Sequence, residues 1–178
     1  MYKMSYVKKS MITAVCIALC VVLPILLHSI PNAGSIICPM HFPVLICGLV
    51  CGWHFGAFSG IAGVLLSSLI TGMPPVAYLP PMLIELAIYG LITGLVMLLV
   101  RTKKVYADLY ISLISSMLIG RIVSGILKAL IFSSGGYTMA AWTTSYFITS
   151  LPGIAIQLAL IPTIIFALEK SNLIPSRY

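Results

Sequence analysis

Three ionisable side chains stand inside otherwise apolar runs: Glu85, Arg121 and Lys128. A charge at the centre of a bilayer costs about 3 kcal/mol or more, so each needs a partner, a wet cavity or a ligand. At about 1.5 Å per helical residue, Glu85 and Lys128 reach similar depths near the outer ends of two neighbouring helices. An ion pair between them is geometrically easy. Arg121 sits two turns deeper than Lys128 on the same face, near mid-membrane, with Gln157 at roughly its depth. Asp108 and Glu169 belong to the opposite interface, which leaves two readings of Arg121. It faces a cavity and meets a carboxylate or phosphate on a ligand, or it hydrogen-bonds to backbone carbonyls and Gln157. Glu85 likewise either ties two helices together through Lys128 or faces the same ligand. Tyr89, one turn from Glu85 on the same face, is placed to line the same cavity. His41, in Pro39-Met40-His41-Phe42-Pro43, either hydrogen-bonds a ligand or sits in the interface. His28 and His54 flank apolar runs and read as interfacial.

The runs that carry these residues make up almost the whole chain. Of 178 residues, 61% are apolar and 7% charged, with a mean hydropathy of +1.15. A soluble domain carries roughly a quarter charged residues, so this chain could not cover a water-facing surface. The composition predicts an all-α integral membrane protein, a single domain over residues 1–178. A span needs about 20 apolar residues, and six are readable. They run from about Ser10 to Leu27, Pro39 to Gly52, Phe55 to Ile70, Met82 to Val100, Leu109 to Phe132 and Tyr146 to Leu168. Pro24 falls inside the first, and Pro152 and Pro162 inside the last. The first run follows Lys3, Lys8 and Lys9 as a signal peptide would, but Ile30-Pro31-Asn32-Ala33-Gly34 lacks a small-x-small cleavage pattern. A retained first helix is expected.

Charge sets the orientation. Lys3, Lys8, Lys9, Arg101, Lys103, Lys104, Lys170 and Arg177 fall on one side of a six-span arrangement. The positive-inside rule then puts both termini in the cytoplasm. The net charge of +7 is therefore a topology signal rather than a nucleic-acid footprint. Trp53, Tyr106 and Tyr110 mark the inner interface, and Tyr78, Tyr137, Trp142 and Tyr146 the outer one. Glycines four apart, Gly48 and Gly52, Gly56 and Gly60, Gly90 and Gly94, let helices approach closely, here within the chain rather than in a dimer. The five cysteines (Cys16, Cys20, Cys38, Cys47, Cys51) read as packing residues rather than metal ligands or disulfides.

No phosphate loop, zinc-binding His-Glu-x-x-His or Gly-x-Ser-x-Gly nucleophile motif occurs, and one carboxylate gives no acid–base pair. An enzyme is not expected, and no cofactor or metal is called for.

With these features in place, the chain resembles the substrate-binding S components of energy-coupling factor (ECF) vitamin transporters. The likeness covers nearly its whole length. The stretch Pro39-Met40-His41-Phe42-Pro43-Val44-Leu45-Ile46-Cys47-Gly48 to Gly52-Trp53 looks like one S-component subgroup, as do Gly72-Met73-Pro74-Pro75 and Glu85-Leu86-Ala87-Ile88-Tyr89-Gly90. That subgroup is associated with pantothenate or a pyridoxine-like vitamin. Ala14-Val15-Cys16-Ile17-Ala18 is similar to the Ala-x-x-x-Ala docking face for the transmembrane coupling subunit. Small side chains suit close approach by a partner helix, though internal packing would use them too. The resemblance implies a vitamin importer in a prokaryotic plasma membrane, assembled from this subunit, the coupling subunit and two ATPases. Its outward pocket would be closed by the loops after the first, third and fifth spans. The expected ligand-binding set is Arg121, Glu85, Lys128, His41, Tyr89, Gln157, Asn32 and Trp142, and the docking residues are Ala14 and Ala18. Arg121 and Lys128 against Glu85 leave one positive charge, which favours an anionic vitamin such as pantothenate. Other vitamins (pyridoxine, niacin, hydroxymethylpyrimidine) and a membrane scaffold subunit without a ligand are the alternatives.

Overall fold

The computed structural model describes residues 4–131 and 143–175. Six helices are long and apolar enough to cross a membrane, and no strand occurs among the described residues. The order is α1 (Tyr6–Leu26), α2 (Ala33–Ile36), α3 (His41–Cys51), α4 (Trp53–Thr71), α5 (Leu79–Leu99), α6 (Val105–Ile131) and α7 (Leu151–Lys170). A 3₁₀ turn, Val76–Tyr78, precedes α5, and a π-type turn, Thr144–Ile148, precedes α7.

Local chemistry sets the helix ends. The Ser5 side chain accepts a hydrogen bond from the Lys8 amide at 3.3 Å and caps α1. Gly52 alone separates α3 from α4, with φ of +100°, a region closed to most side chains. Gly72 ends α4 in the left-handed conformation, the usual glycine stop. Several expected boundaries move, two of them for a plain local reason. α5 starts at Leu79 rather than Met82, because Pro80 and Pro81 fit a first helical turn, whose amides need no partner. α6 starts at Val105 rather than Leu109. Asp108 draws the preceding loop in by accepting from the Thr102 amide at 2.9 Å and hydroxyl at 2.7 Å.

α3 is the hub. Nine of its eleven residues are buried. α1 is its opposite: Lys9, Thr13, Cys16 and Cys20 form a narrow buried stripe at the three-to-four residue spacing of one helix face. Val7, Met11, Val15 and Leu19 point away from the protein.

Glycines set the spacing of the α3–α4–α5 core. A Cβ on Gly48 would lie 2.6 Å from the Gly90 carbonyl oxygen, and one on Gly60 would lie 2.5 Å from that of Leu86. A Cβ on Gly90 would run into the Gly56 carbonyl, and one on Gly94 into the Trp53 amide. The glycine pairs thus serve contacts within the chain, as the sequence predicts.

The helices alternate in direction. Cys51 at the end of α3 reaches the Lys9 carbonyl near the start of α1. The Tyr106 ring near the start of α6 lies 4.0 Å from Phe166 near the end of α7. Both ends of the described chain therefore share one end of the bundle. The connections after α1 and α4 lie at the other, with the end of α6 and the start of α7.

Candidate functional site

Between those connections lies a cavity of about 640 Å³. The segment after α1 contributes Leu27, His28, Pro31, Asn32 and Ser35. The approach to α3 contributes Cys38, Met40 and His41. The connection after α4 contributes Met73, Pro74, Pro75 and Tyr78. Glu85 of α5, Arg121 of α6 and Ser150 ahead of α7 supply polar groups of the wall.

Each buried charge in this wall carries hydrogen bonds, as it must where desolvation is expensive. Glu85 is 7% exposed. One carboxylate oxygen lies 3.5 Å from His41 Nε2, and the other accepts from the Ser124 hydroxyl at 3.0 Å. The His41 ring meets the Tyr89 ring edge to face, with centroids 4.9 Å apart. His41 Nδ1 is buried and has no hydrogen-bond partner among the described residues.

Arg121, 4% exposed, donates through Nε to the Tyr89 hydroxyl at 3.1 Å and through Nη1 to the Ser150 hydroxyl at 2.9 Å. Its guanidinium carbon stands 5.7 Å from the Phe147 ring centroid, within cation–π range. The Tyr89 hydroxyl also lies 3.5 Å from the Met117 carbonyl. One polar chain thus links α3, α5, α6 and the start of α7.

The expected site residues divide accordingly. Arg121, Glu85, His41 and Asn32 line the cavity. Tyr89 is buried behind that wall and holds Arg121. Gln157 does the same kind of work elsewhere. Its side-chain amide reaches the Ile37 and Cys38 carbonyls, both at 3.5 Å, rather than Arg121, so it braces the segment leading into His41. Among the described contacts, Arg121 donates to hydroxyls of Tyr89 and Ser150. Lys128 lies on α6 one turn beyond Ser124, with its side chain outside the described residues, and Trp142 lies outside them altogether. The expected Glu85–Lys128 pair thus falls on a side chain outside the described residues; within them, Glu85 meets His41 and Ser124. Ala14 and Ala18 lie on the exposed face of α1. His54 stacks on Trp53 away from the cavity, while His28 joins its wall.

Two serines escaped the sequence reading. Ser124 had a signal. Ser112, Ser116 and Ser124 recur at helical spacing on one face of an apolar run, and all three are fully buried. Ser150 had none, because the last span reads as one continuous helix from Tyr146. In the structure the helix breaks after the π-type turn and restarts at Leu151. Pro152, expected in a helix interior, falls in a first turn, where proline is tolerated.

The family model for the substrate-specific component of ECF transporters matches residues 8–168, and the chain belongs to that family. It is thus a multi-pass membrane protein, a substrate-specific transport subunit rather than an enzyme. No curated protein and no solved structure matches it.

Proposed function

We propose that this subunit captures a small anionic vitamin, with pantothenate the leading substrate, in the cavity around Arg121 and Glu85, for ATP-driven import. The observation that carries the reading is the cavity itself. An opening of this size, with a buried guanidinium and carboxylate in its wall, is what ligand capture needs and what a packed scaffold would fill. Clustering of Lys and Arg at the end that holds the termini points that end to the cytoplasm and the cavity outward.

The charges sort the substrates. Arg121 and Lys128 against Glu85 leave one positive charge, which suits a carboxylate. His41 supports the same site, because it lines the cavity and its Nε2 stands against the Glu85 carboxylate. Asn32 at the mouth and Trp142 in the connection after α6 complete the proposed set. Tyr89 and Gln157 act from behind the wall. The Glu85–His41 pair favours one competing reading, a ligand with a hydrogen-bonding ring such as pyridoxine or hydroxymethylpyrimidine. Docking would use Ala14 and Ala18, whose small side chains on an exposed face admit a helix of the coupling subunit, with two ATPases driving the cycle.

Mass spectrometry of small molecules co-purified with the protein tests the substrate directly. Arg121→Ala should weaken binding of the recovered vitamin by about a hundredfold while the protein still inserts and folds. An unchanged affinity would remove Arg121 from the site.

A further inference from the structure

We infer that Ser150 is a positioning residue of the ligand site, holding the Arg121 guanidinium in its productive plane instead of capping α7. This rests on the reading of the cavity as the place where ligand binds. Ser150 occupies the N-cap position of α7. Serine is favoured there because its oxygen accepts from the amide two or three residues on. Here the residue two on is Pro152, which has no amide hydrogen. The Ser150 side chain makes no capping bond at all. Its hydroxyl takes Arg121 Nη1 at 2.9 Å instead, from a residue that is 3% exposed and lines the cavity.

For stability alone this is a poor arrangement. A helix start goes without its cap, and a cation beside a helix N-terminus opposes the helix dipole. Local rules broken in this way concentrate at functional sites. The geometry supplies the function. Tyr89 fixes Nε, Ser150 fixes Nη1, and two anchors define the plane of a guanidinium. A fixed plane is what bidentate recognition of a carboxylate requires. Ser150 is itself held. A Cβ on Gly153 would collide with the Ile36 carbonyl, and Gln157 grips the Ile37 and Cys38 carbonyls. The start of α7 is therefore clamped against the segment that leads into His41. Ser150 should decide selectivity for a carboxylate over its uncharged analogue.

The test uses the full chain in lipid nanodiscs, labelled with ¹⁵N-arginine. There are only three arginines, Arg101, Arg121 and Arg177, so Arg121→Lys assigns the Arg121 Nε–H signal. The ligand probes are pantothenate and pantothenol, which differ in a carboxylate against a hydroxymethyl group. Ser150→Ala should move and broaden the Arg121 signal. It should weaken pantothenate about tenfold, the scale of one hydrogen bond to a charged group, and leave pantothenol unchanged. Ser150→Thr should restore both readouts. An unmoved Arg121 signal, or equal weakening of both probes as for a mere helix end, would overturn the inference. If the unsubstituted protein binds neither probe while Ser150→Ala still moves the signal, Ser150 keeps its positioning role and the carboxylate-vitamin reading falls.

Discussion

Arg121 and Glu85 are buried in the cavity wall, and polar side chains hold each of them. Hydroxyls of Tyr89 and Ser150 take the guanidinium; His41 and the Ser124 hydroxyl take the carboxylate. Tyr89→Phe removes the acceptor for Arg121 Nε and keeps the ring against His41. Titration should show ligand affinity falling about tenfold, the scale of one hydrogen bond to a charged group, with thermal stability little changed. Glu85→Gln keeps an acceptor for Ser124 and removes the charge facing His41. If the substrate is an anion, affinity should hold or improve. If it is a hydrogen-bonding ring cation, affinity should collapse. The same titration separates the two substrate readings.

At the scale of elements, backbone proximity governs. α3, α4 and α5 pack so closely that carbonyl oxygens occupy the space a side chain would need at Gly48, Gly56, Gly60 and Gly90. Packing and interhelical contact, rather than a hydrophobic driving force, hold helices together in lipid. Gly90→Ala should therefore push α5 off α4, and folded protein recovered by size-exclusion chromatography should fall sharply. Gly34 has nothing within 4 Å of its Cβ position. Gly34→Ala should be recovered at the unsubstituted level. Equal recovery of the two variants would show that glycine contacts do not set the spacing. The same core explains the site. Glu85 and Tyr89 share a face of α5, and the glycines of α5 bring that face against α3, where His41 begins.

The proposed function gives the whole molecule two working surfaces, a cavity at one end and the exposed side of α1. Ala14→Trp or Ala18→Trp should leave ligand binding intact and block assembly with the coupling subunit in a pull-down. Normal assembly would move docking to another helix. Cys38 offers a native reporter of orientation. It lines the cavity and is partly exposed, while Cys16, Cys20, Cys47 and Cys51 are at most 4% exposed. A membrane-impermeant maleimide added to intact cells should label the protein at Cys38 alone, and bound vitamin should protect it. Labelling only after the membrane is breached would invert the proposed topology.

The sequence alone determined the membrane class, the helix count and the glycine contacts, because hydropathy and residue size act locally along the chain. A carboxylate and a guanidinium inside apolar runs also marked Glu85 and Arg121 as candidates, and both line the cavity, since hydrocarbon tolerates no idle charge. Their partners were not legible. Depth along a helix axis matched Arg121 with Gln157, but depth is one coordinate, and a hydrogen bond needs all three. Rotation of α5 against α6 and the break before α7 decided that Arg121 meets Tyr89 and Ser150. The close approach of α3 to α5 decided that Glu85 meets His41. The tertiary structure alone produced the cavity, because its wall comes from segments as far apart as Leu27 and Ser150, and no local pattern records how such segments come together.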